Sequence, residues 1–111
     1  MMFGRCFESA GKALLMPPDI NFVTGWKLAH GVVTGTKGIV KVRKYSHAWI
    51  ENDTLVYDGE TRSLYLKDTF YEAGNVCDVC RYDKREALEA MLDSGHYGPW
   101  NPRFYKSDLM G

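Results

Sequence analysis

The sequence predicts an α+β fold in which a helix near each end of the chain packs on an antiparallel sheet. Three observations predict it: apolar residues at helical spacing near the N-terminus, a central series of β-branched segments separated by turns, and a second helical pattern toward the C-terminus. The chain has 111 residues, the length of one domain, so we assign residues 1–111 to a single domain.

Residues 3–16 have the spacing of an amphipathic helix. The apolar residues that recur at helical intervals are Phe3, Phe7, Ala10 and Leu14. Pro17 and Pro18 end this pattern. Cys6 is therefore expected in the first turn of the helix or just before it.

The central part of the chain has the composition of strands. "AHGVVTG" (29–35) and "IVKVRKY" (39–45) are rich in β-branched residues, and "HAWIE" (47–51) and "TLVYD" (54–58) flank a polar turn. "RSLYLKDTFYEAG" (62–74) fits either a strand or a strand followed by a short helical turn. "NVCDVCRY" (75–82) alternates as a strand does.

The second helix is predicted within "YDKREALEAMLDSGHYG" (82–98). Asp83 is a suitable N-cap, and Glu86 follows at the spacing of a capping box. Gly95 suits the left-handed residue that ends a helix.

Composition excludes several classes of function. Charged residues make up 25% of the chain and cancel to a net charge of zero, so binding to nucleic acid is not expected. No apolar run approaches the ~20 residues of a membrane span, and the N-terminus lacks a secretory pattern, so a cytoplasmic location without membrane contact is expected. Three cysteines, an odd number, argue against a disulfide framework.

A histidine and an aspartate are expected to meet in the hairpin around Asn52-Asp53. If these two residues form the turn, cross-strand partners have numbers that sum to 105, and His47 lies opposite Asp58. A carboxylate that orients an imidazole leaves its other nitrogen free to accept a proton. The alternative is a buried histidine that bonds to the nearest acceptor.

Cys6 is a candidate nucleophile because of its place in the helix. The dipole and the unpaired N–H groups at a helix start lower the pKa of a thiol and can donate to a developing oxyanion. The alternative is a small buried hydrophobic residue in the helix interface.

These segments resemble a known superfamily. "GRCFESAGKAL" (4–14), "HAWIE" and "VYD" (56–58) are similar to the Cys–His–Asp signature of the transglutaminase-like branch of the papain-type cysteine enzymes, and the chain order also suits peptidases of the NlpC/P60 type. The resemblance implies a papain-like core with Cys6 as nucleophile, His47 as base and Asp58 as the orienting acid. "HYGPW" (96–100) also resembles the ends of small bacterial and phage proteins, which implies no activity.

The function implied is a thiol-dependent hydrolase or acyltransferase that acts on an amide bond of a peptide or similar substrate, without cofactor or metal. Because the chain has no Gln, an oxyanion would need a backbone N–H, Trp26 or Arg5 as its second donor. The side chains assigned to substrate binding are Trp26, Trp49, Tyr57 and Arg5. The alternative is a non-catalytic protein-binding domain on the same scaffold, and the oligomeric state stays open.

Cys77 and Cys80 form a C-x-x-C pair that offers a competing interpretation. Such a pair can be half of a zinc site, completed by His96 and by His30 or an acid. No second ligand pair with tight spacing is present, and residues three apart in a strand point to opposite faces, so a metal site here is not favoured. His30 is also an alternative base.

Overall fold

The computed structural model describes residues 3–17, 25–37 and 40–101. In these ranges the chain forms three helices and five strands. In chain order they are α1 (Phe3–Leu15), β1 (Lys27–Lys37), β2 (Val40–Glu51), β3 (Leu55–Asp58), β4 (Ser63–Leu66), α2 (Lys67–Ala73), β5 (Cys77–Tyr82) and α3 (Lys84–Ser94). The α+β class is confirmed, with Cys6 in the N-terminal helix and a helix near the C-terminal end.

The five strands form one sheet in the order β4-β3-β2-β1-β5, and all neighbouring strands are antiparallel. The described part of segment 39–45 and segment 47–51 belong to a single strand, β2. Ser46 lies between them and pairs with Val32, which continues the ladder without interruption.

The predicted register of the β2–β3 hairpin is also wrong. Ile50 pairs with Tyr57 and Glu51 with Val56, so partner numbers sum to 107 rather than 105. The turn is moved by one residue to Asp53-Thr54, because the backbone N–H of Asn52 donates to the carbonyl of Leu55 at 3.0 Å. The side-chain oxygen of Asn52 supports this turn by accepting hydrogen bonds from the backbone N–H groups of Thr54 and Leu55. A displacement of two residues keeps every side chain on its predicted face.

The two faces of the sheet support separate apolar cores. One core lies under α1 and α3, where the buried residues include Phe7, Leu14, Leu28, Ile50 and Ala87. The other lies under α2, where Ala29, Val33, Trp49 and Val56 are buried against partly buried side chains such as Phe70. Alternation along the strands explains this division, because successive residues point to opposite faces.

Helix α1 packs on the sheet through the apolar stripe that its sequence predicts. Phe7 and Ala10 are fully buried and Leu14 almost so, whereas Glu8 and Lys12 on the outer face form an ion pair of 2.7 Å. The loop after α3 covers the helix at Gly11, where a Cβ atom would lie 2.6 Å from the ring of Tyr97. The helix is therefore fixed between the sheet and the C-terminal part of the chain.

The other two helices follow local signals. Asp83 and Glu86 form the predicted capping box of α3, and Gly95 ends that helix with a φ of 79°. The ambiguous segment 62–74 resolves into strand β4 followed by the short helix α2. Of the helices in the described residues, none is long and apolar enough to cross a bilayer.

A buried carboxylate joins the sheet to α2. The Glu51 side chain accepts hydrogen bonds from the indole N–H of Trp49 and the hydroxyl of Tyr71. It also forms ion pairs with Arg81 (2.7 Å) and Lys67 (3.1 Å). Burial favours the protonated form of Glu51, but these four donors outweigh it and lower its pKa. Glu51 is thus a satisfied structural anion, which the sequence did not indicate.

Candidate active site

Cys6 lies in the first turn of α1 and is almost buried, with 8% of its surface exposed. The residues before it open the helix, and the N–H groups that open a helix have no acceptor within it. No acidic residue stands in the first turn of α1 to offset the positive end of the helix dipole. The thiol therefore lies at the positive end of the α1 dipole.

His47 is held in the middle of β2, where it pairs with Gly31. Its side chain lies between two aromatic rings on the same strand, with centroids 5.9 Å away for Trp49 and 6.0 Å away for Tyr45. Only 8% of His47 is exposed. These contacts restrict the imidazole to one orientation.

Asp58, the last residue of β3, bonds directly to that imidazole. The distance from His47 Nε2 to Asp58 Oδ2 is 2.8 Å, and since a carboxylate only accepts, Nε2 carries the proton. The other oxygen of Asp58 accepts the backbone N–H of Glu60 at 3.0 Å. Burial would raise the pKa of Asp58, but His47 and the backbone N–H groups of Glu60 and Thr61 lower it.

The turn that follows Asp58 packs against α1, the helix that carries Cys6. A Cβ atom on Gly59 would lie 3.0 Å from the carbonyl oxygen of Ser9, so only glycine permits this close approach without adjustment. The described β2–β3 pairs end at Ile50–Tyr57, and α1 packs against β2. Cys6, His47 and Asp58 meet in this region.

The structure brings the three predicted catalytic side chains together. Cys6 Sγ, a ring nitrogen of His47 and a carboxylate oxygen of Glu60 all lie within 4.8 Å of one another. Because Asp58 occupies Nε2, the nitrogen left for the thiol is Nδ1. The imidazole therefore stands between a thiol and a carboxylate, the arrangement needed to move a proton to and from sulfur.

The site stabilises positive charge on the imidazole. Burial alone would lower the pKa of His47, but the hydrogen bonds and negative charges of Asp58 and Cys6 outweigh it and raise the pKa to about 10. Charge on one member of the site thus favours opposite charge on its neighbour, as in a thiolate–imidazolium pair.

The structure describes three of the four predicted substrate-binding side chains. Trp49 is fully buried, donates its indole N–H to Glu51 and lies beside the ring of His47. Trp26 belongs to the same buried core as Cys6. Tyr57 is half-buried against the same core, and the side chain of Arg5 lies outside the described residues. Their roles in substrate binding stay predictions.

Two further side chains lie beside the thiol, and of these Glu60 was not assigned from the sequence. Tyr45 is 42% exposed, and burial together with the charges of Asp58, Cys6 and Glu60 raises its pKa. Glu60 is exposed and lies next to Cys6 and His47. The "DGE" turn carried a weak signal for Glu60, because an aspartate that accepts the N–H two residues on brings that residue back toward itself.

His30 and the C-x-x-C pair lie apart from this site. His30 is fully buried among the rings of Phe7, Tyr82 and Trp100, and burial lowers its pKa to about 3. A base needs a pKa near the working pH, so His30 is poorly suited to that role. In the described ranges, Cys77 and Cys80 belong to no cluster with metal-ligating spacing.

Comparison of the chain with protein-family models, with curated proteins and with solved structures finds no match in any of the three. Any function assigned to the chain therefore depends on the contacts of Cys6, His47 and Asp58 themselves.

Proposed function

We propose that the chain is a thiol-dependent hydrolase or acyltransferase that acts on an amide bond. The observation that carries the proposal is one buried imidazole, His47, held by Asp58 at 2.8 Å and lying beside the thiol of Cys6. A thiol needs a neighbouring base to become a nucleophile near neutral pH, and the base needs a third group to orient it.

In the proposed reaction His47 Nδ1 takes the proton of Cys6, and the thiolate attacks the amide carbonyl. A carbon–sulfur bond forms, and the electron pair of the carbonyl moves to its oxygen. The carbon–nitrogen bond then breaks as the leaving amine takes the proton from Nδ1, which leaves a thioester. Water or a second amine, deprotonated by the same nitrogen, releases the acyl group. Asp58 keeps the proton of Nε2 in place throughout.

The start of α1 supplies the means to stabilise the oxyanion. The backbone N–H groups that open α1, just before Cys6, belong to the part of a helix that has no acceptor within it, and they lie at the positive end of its dipole. An oxyanion that forms on the carbon attacked by Cys6 arises beside these groups. Preorganised donors of this kind are each worth roughly 3 kcal/mol of barrier in acyl transfer.

The order Cys, His, Asp on a helix, a strand and the next strand is similar to the transglutaminase-like and NlpC/P60-type branches of the papain-type enzymes. A peptide or another amide-containing molecule is the substrate class that this resemblance implies. Such a substrate would approach over Tyr45 and Glu60, because both are exposed side chains beside the thiol in the part of the chain that the structure describes.

Alkylation by iodoacetamide tests the proposal, because exposure and activation predict opposite orders of reactivity. Cys77 is exposed and Cys80 half-buried, whereas Cys6 is 8% exposed. If exposure alone governs the rate, Cys6 reacts last. We expect peptide mapping to find Cys6 alkylated first below the pH at which a free thiol ionises, about 8.5. Alkylation of Cys6 later than Cys77 at every pH would refute an activated thiol.

The low exposure of Cys6 and His47, 8% each, favours one second candidate. In a non-catalytic protein-binding domain the three side chains serve as a buried polar contact and the thiol stays protonated. That candidate predicts slow alkylation of Cys6 and retained partner binding in Cys6→Ala. The enzyme predicts loss of turnover in Cys6→Ala with the fold retained, measured by activity and circular dichroism together.

A further inference from the structure

Glu60 takes no part in the proposed acyl transfer, yet it stands beside the thiol. One of its carboxylate oxygens, Cys6 Sγ and a ring nitrogen of His47 lie within 4.8 Å of one another. Sulfur, imidazole nitrogen and carboxylate oxygen are the three ligand types that bind Zn²⁺ in proteins. From the usual bond lengths, the ligand atoms of one tetrahedral zinc ion lie roughly 3.5 Å from one another. The three donor atoms would therefore need to move closer together to bind one ion.

The surroundings of His47 also match those of a metal ligand. Histidine ligands usually donate their second N–H to a carboxylate, which fixes the tautomer and the direction of the ligating nitrogen. His47 Nε2 makes such a bond to Asp58 at 2.8 Å, and Asp58 is held in turn by the backbone N–H of Glu60. With Nε2 bonded to Asp58, Nδ1 is the ring nitrogen whose lone pair can bind a metal.

We propose that Cys6, His47 and Glu60 form a binding site for Zn²⁺ that blocks the thiol. The three side chains supply three ligands and leave a fourth position for water, the arrangement of an open zinc site. Binding places thiolate sulfur and Nδ1 on the metal and releases one proton to solvent, with no change of oxidation state. The site exists whether or not the chain is an enzyme; its inhibitory effect rests on the proposed function.

Titration with Zn²⁺ alone tests the site. Cys77 and Cys80 are exposed and half-buried thiols, so both are first replaced by Ser to remove any zinc binding by these two thiols from the measurement. In this background we expect one Zn²⁺ per chain by calorimetry, with release of about one proton seen in buffers of different ionisation enthalpy. Cys6→Ser should abolish this binding. Retention of one tight site in Cys6→Ser would overturn the proposal.

Glu60→Gln separates this proposal from simple thiol–imidazole binding. Loss of a residue that hydrogen-bonds to a metal ligand lowers metal affinity about 10–100-fold, so Asp58→Asn should lower the affinity for Zn²⁺ by that factor. Glu60→Gln removes a ligand itself and should lower the affinity by at least about tenfold. Glu72→Gln, an exposed change on α2, is the matched control and should bind as the parent does. Equal affinity of Glu60→Gln and Glu72→Gln would exclude Glu60 as a ligand.

Alkylation with and without Zn²⁺ distinguishes failure of this proposal from failure of the proposed function. We expect Zn²⁺ to slow alkylation of Cys6 at least about tenfold in the parent and much less in Glu60→Gln. Slow alkylation without metal, together with tight zinc binding that Glu60→Gln weakens, would end the enzyme and leave the metal site. Fast alkylation that Zn²⁺ does not slow would end the metal site and leave the enzyme.

Discussion

Replacement of Asp58 by Asn isolates the charge that holds the imidazole. Asparagine has the same shape and keeps an oxygen that can accept the backbone N–H of Glu60, so the turn should survive. The nitrogen of the amide would face His47 Nε2. Because that group donates, it forces Nε2 to accept and moves the imidazole proton to Nδ1, the nitrogen that faces Cys6.

The size of the effect follows from the bond that is lost. A hydrogen bond to a charged group contributes about 1.5–3 kcal/mol, and the contact between His47 and Asp58 is short and almost buried. At 1.36 kcal/mol per pKa unit, its loss lowers the pKa of His47 by about 1–2 units. The thiolate–imidazolium pair weakens accordingly, so we expect the alkylation rate of Cys6 at neutral pH to fall about 10–100-fold, since rate follows the thiolate fraction.

The assay is the rate of iodoacetamide alkylation at each cysteine between pH 5 and 9, followed by peptide mass mapping. Asp53→Asn, an exposed change in the β2–β3 turn, is the control for loss of one negative charge. Cys77 serves as an internal standard in both variants. If Asp58→Asn leaves the rate at Cys6 within about twofold of Asp53→Asn, the carboxylate does not support a thiolate–imidazolium pair and the reasoning fails.

Three further predictions concern stability. Burial lowers the pKa of His30 to about 3 in the folded protein, whereas the pKa of the unfolded residue is about 6.5. Below pH 6.5 the unfolded state therefore binds more protons than the folded state. The free energy of unfolding should fall by up to about 1.4 kcal/mol for each pH unit as the pH drops. Glu51→Gln should lower the free energy of unfolding, measured in urea, by about 2–3 kcal/mol. This loss is smaller than the loss expected when one partner of a fully buried ion pair is removed, because Arg81 and Lys67 are partly exposed to water. Gly59→Ala should cost about 1–3 kcal/mol and slow alkylation of Cys6, because the new methyl group collides with the backbone of Ser9.

Each of these has an outcome that contradicts it. His30→Leu should flatten the stability profile between pH 6.5 and 4.5, a window above the ionisation of the carboxylates; an equally steep profile would mean that His30 is not the group responsible. If Glu51→Gln lowers the free energy of unfolding by less than about 0.5 kcal/mol, the ion pairs of Glu51 with Arg81 and Lys67 contribute nothing measurable to stability. Unchanged urea midpoints in Gly59→Ala would show that the turn moves away from α1 without cost.

The three candidate catalytic residues, Cys6, His47 and Asp58, were predictable because a local sequence pattern marks each of them. Cys6 precedes an amphipathic run, and His47 and Asp58 flank a polar turn between strands. The predicted register was wrong by two residues, yet the two side chains still meet. A shift of two preserves the face of every residue, and diagonal neighbours on one face remain within reach of long side chains.

The residues that were missed depend on contacts between distant segments. Glu51 bonds to Tyr71 and Arg81, which lie 20 and 30 positions further along the chain. No pattern within β2 indicates that a glutamate at its end turns inward. Long-range partners of this kind are set by the strand order, with β5 beside β1, and strand order is not encoded in local periodicity.

Comparison of two buried carboxylates explains why one supports the fold and the other is suited to chemistry. Glu51 is 2% exposed and is neutralised by Arg81 and Lys67, cations that keep their charge across the physiological range. Asp58 is 5% exposed, and its charged neighbour in the described part of the chain is His47, whose charge depends on where one proton resides. The charges of the first cluster therefore stay fixed across that range. In the second, the proposed acyl transfer moves a proton between sulfur and imidazole while the carboxylate stays paired, and a structural ion pair with fixed charges offers no such step.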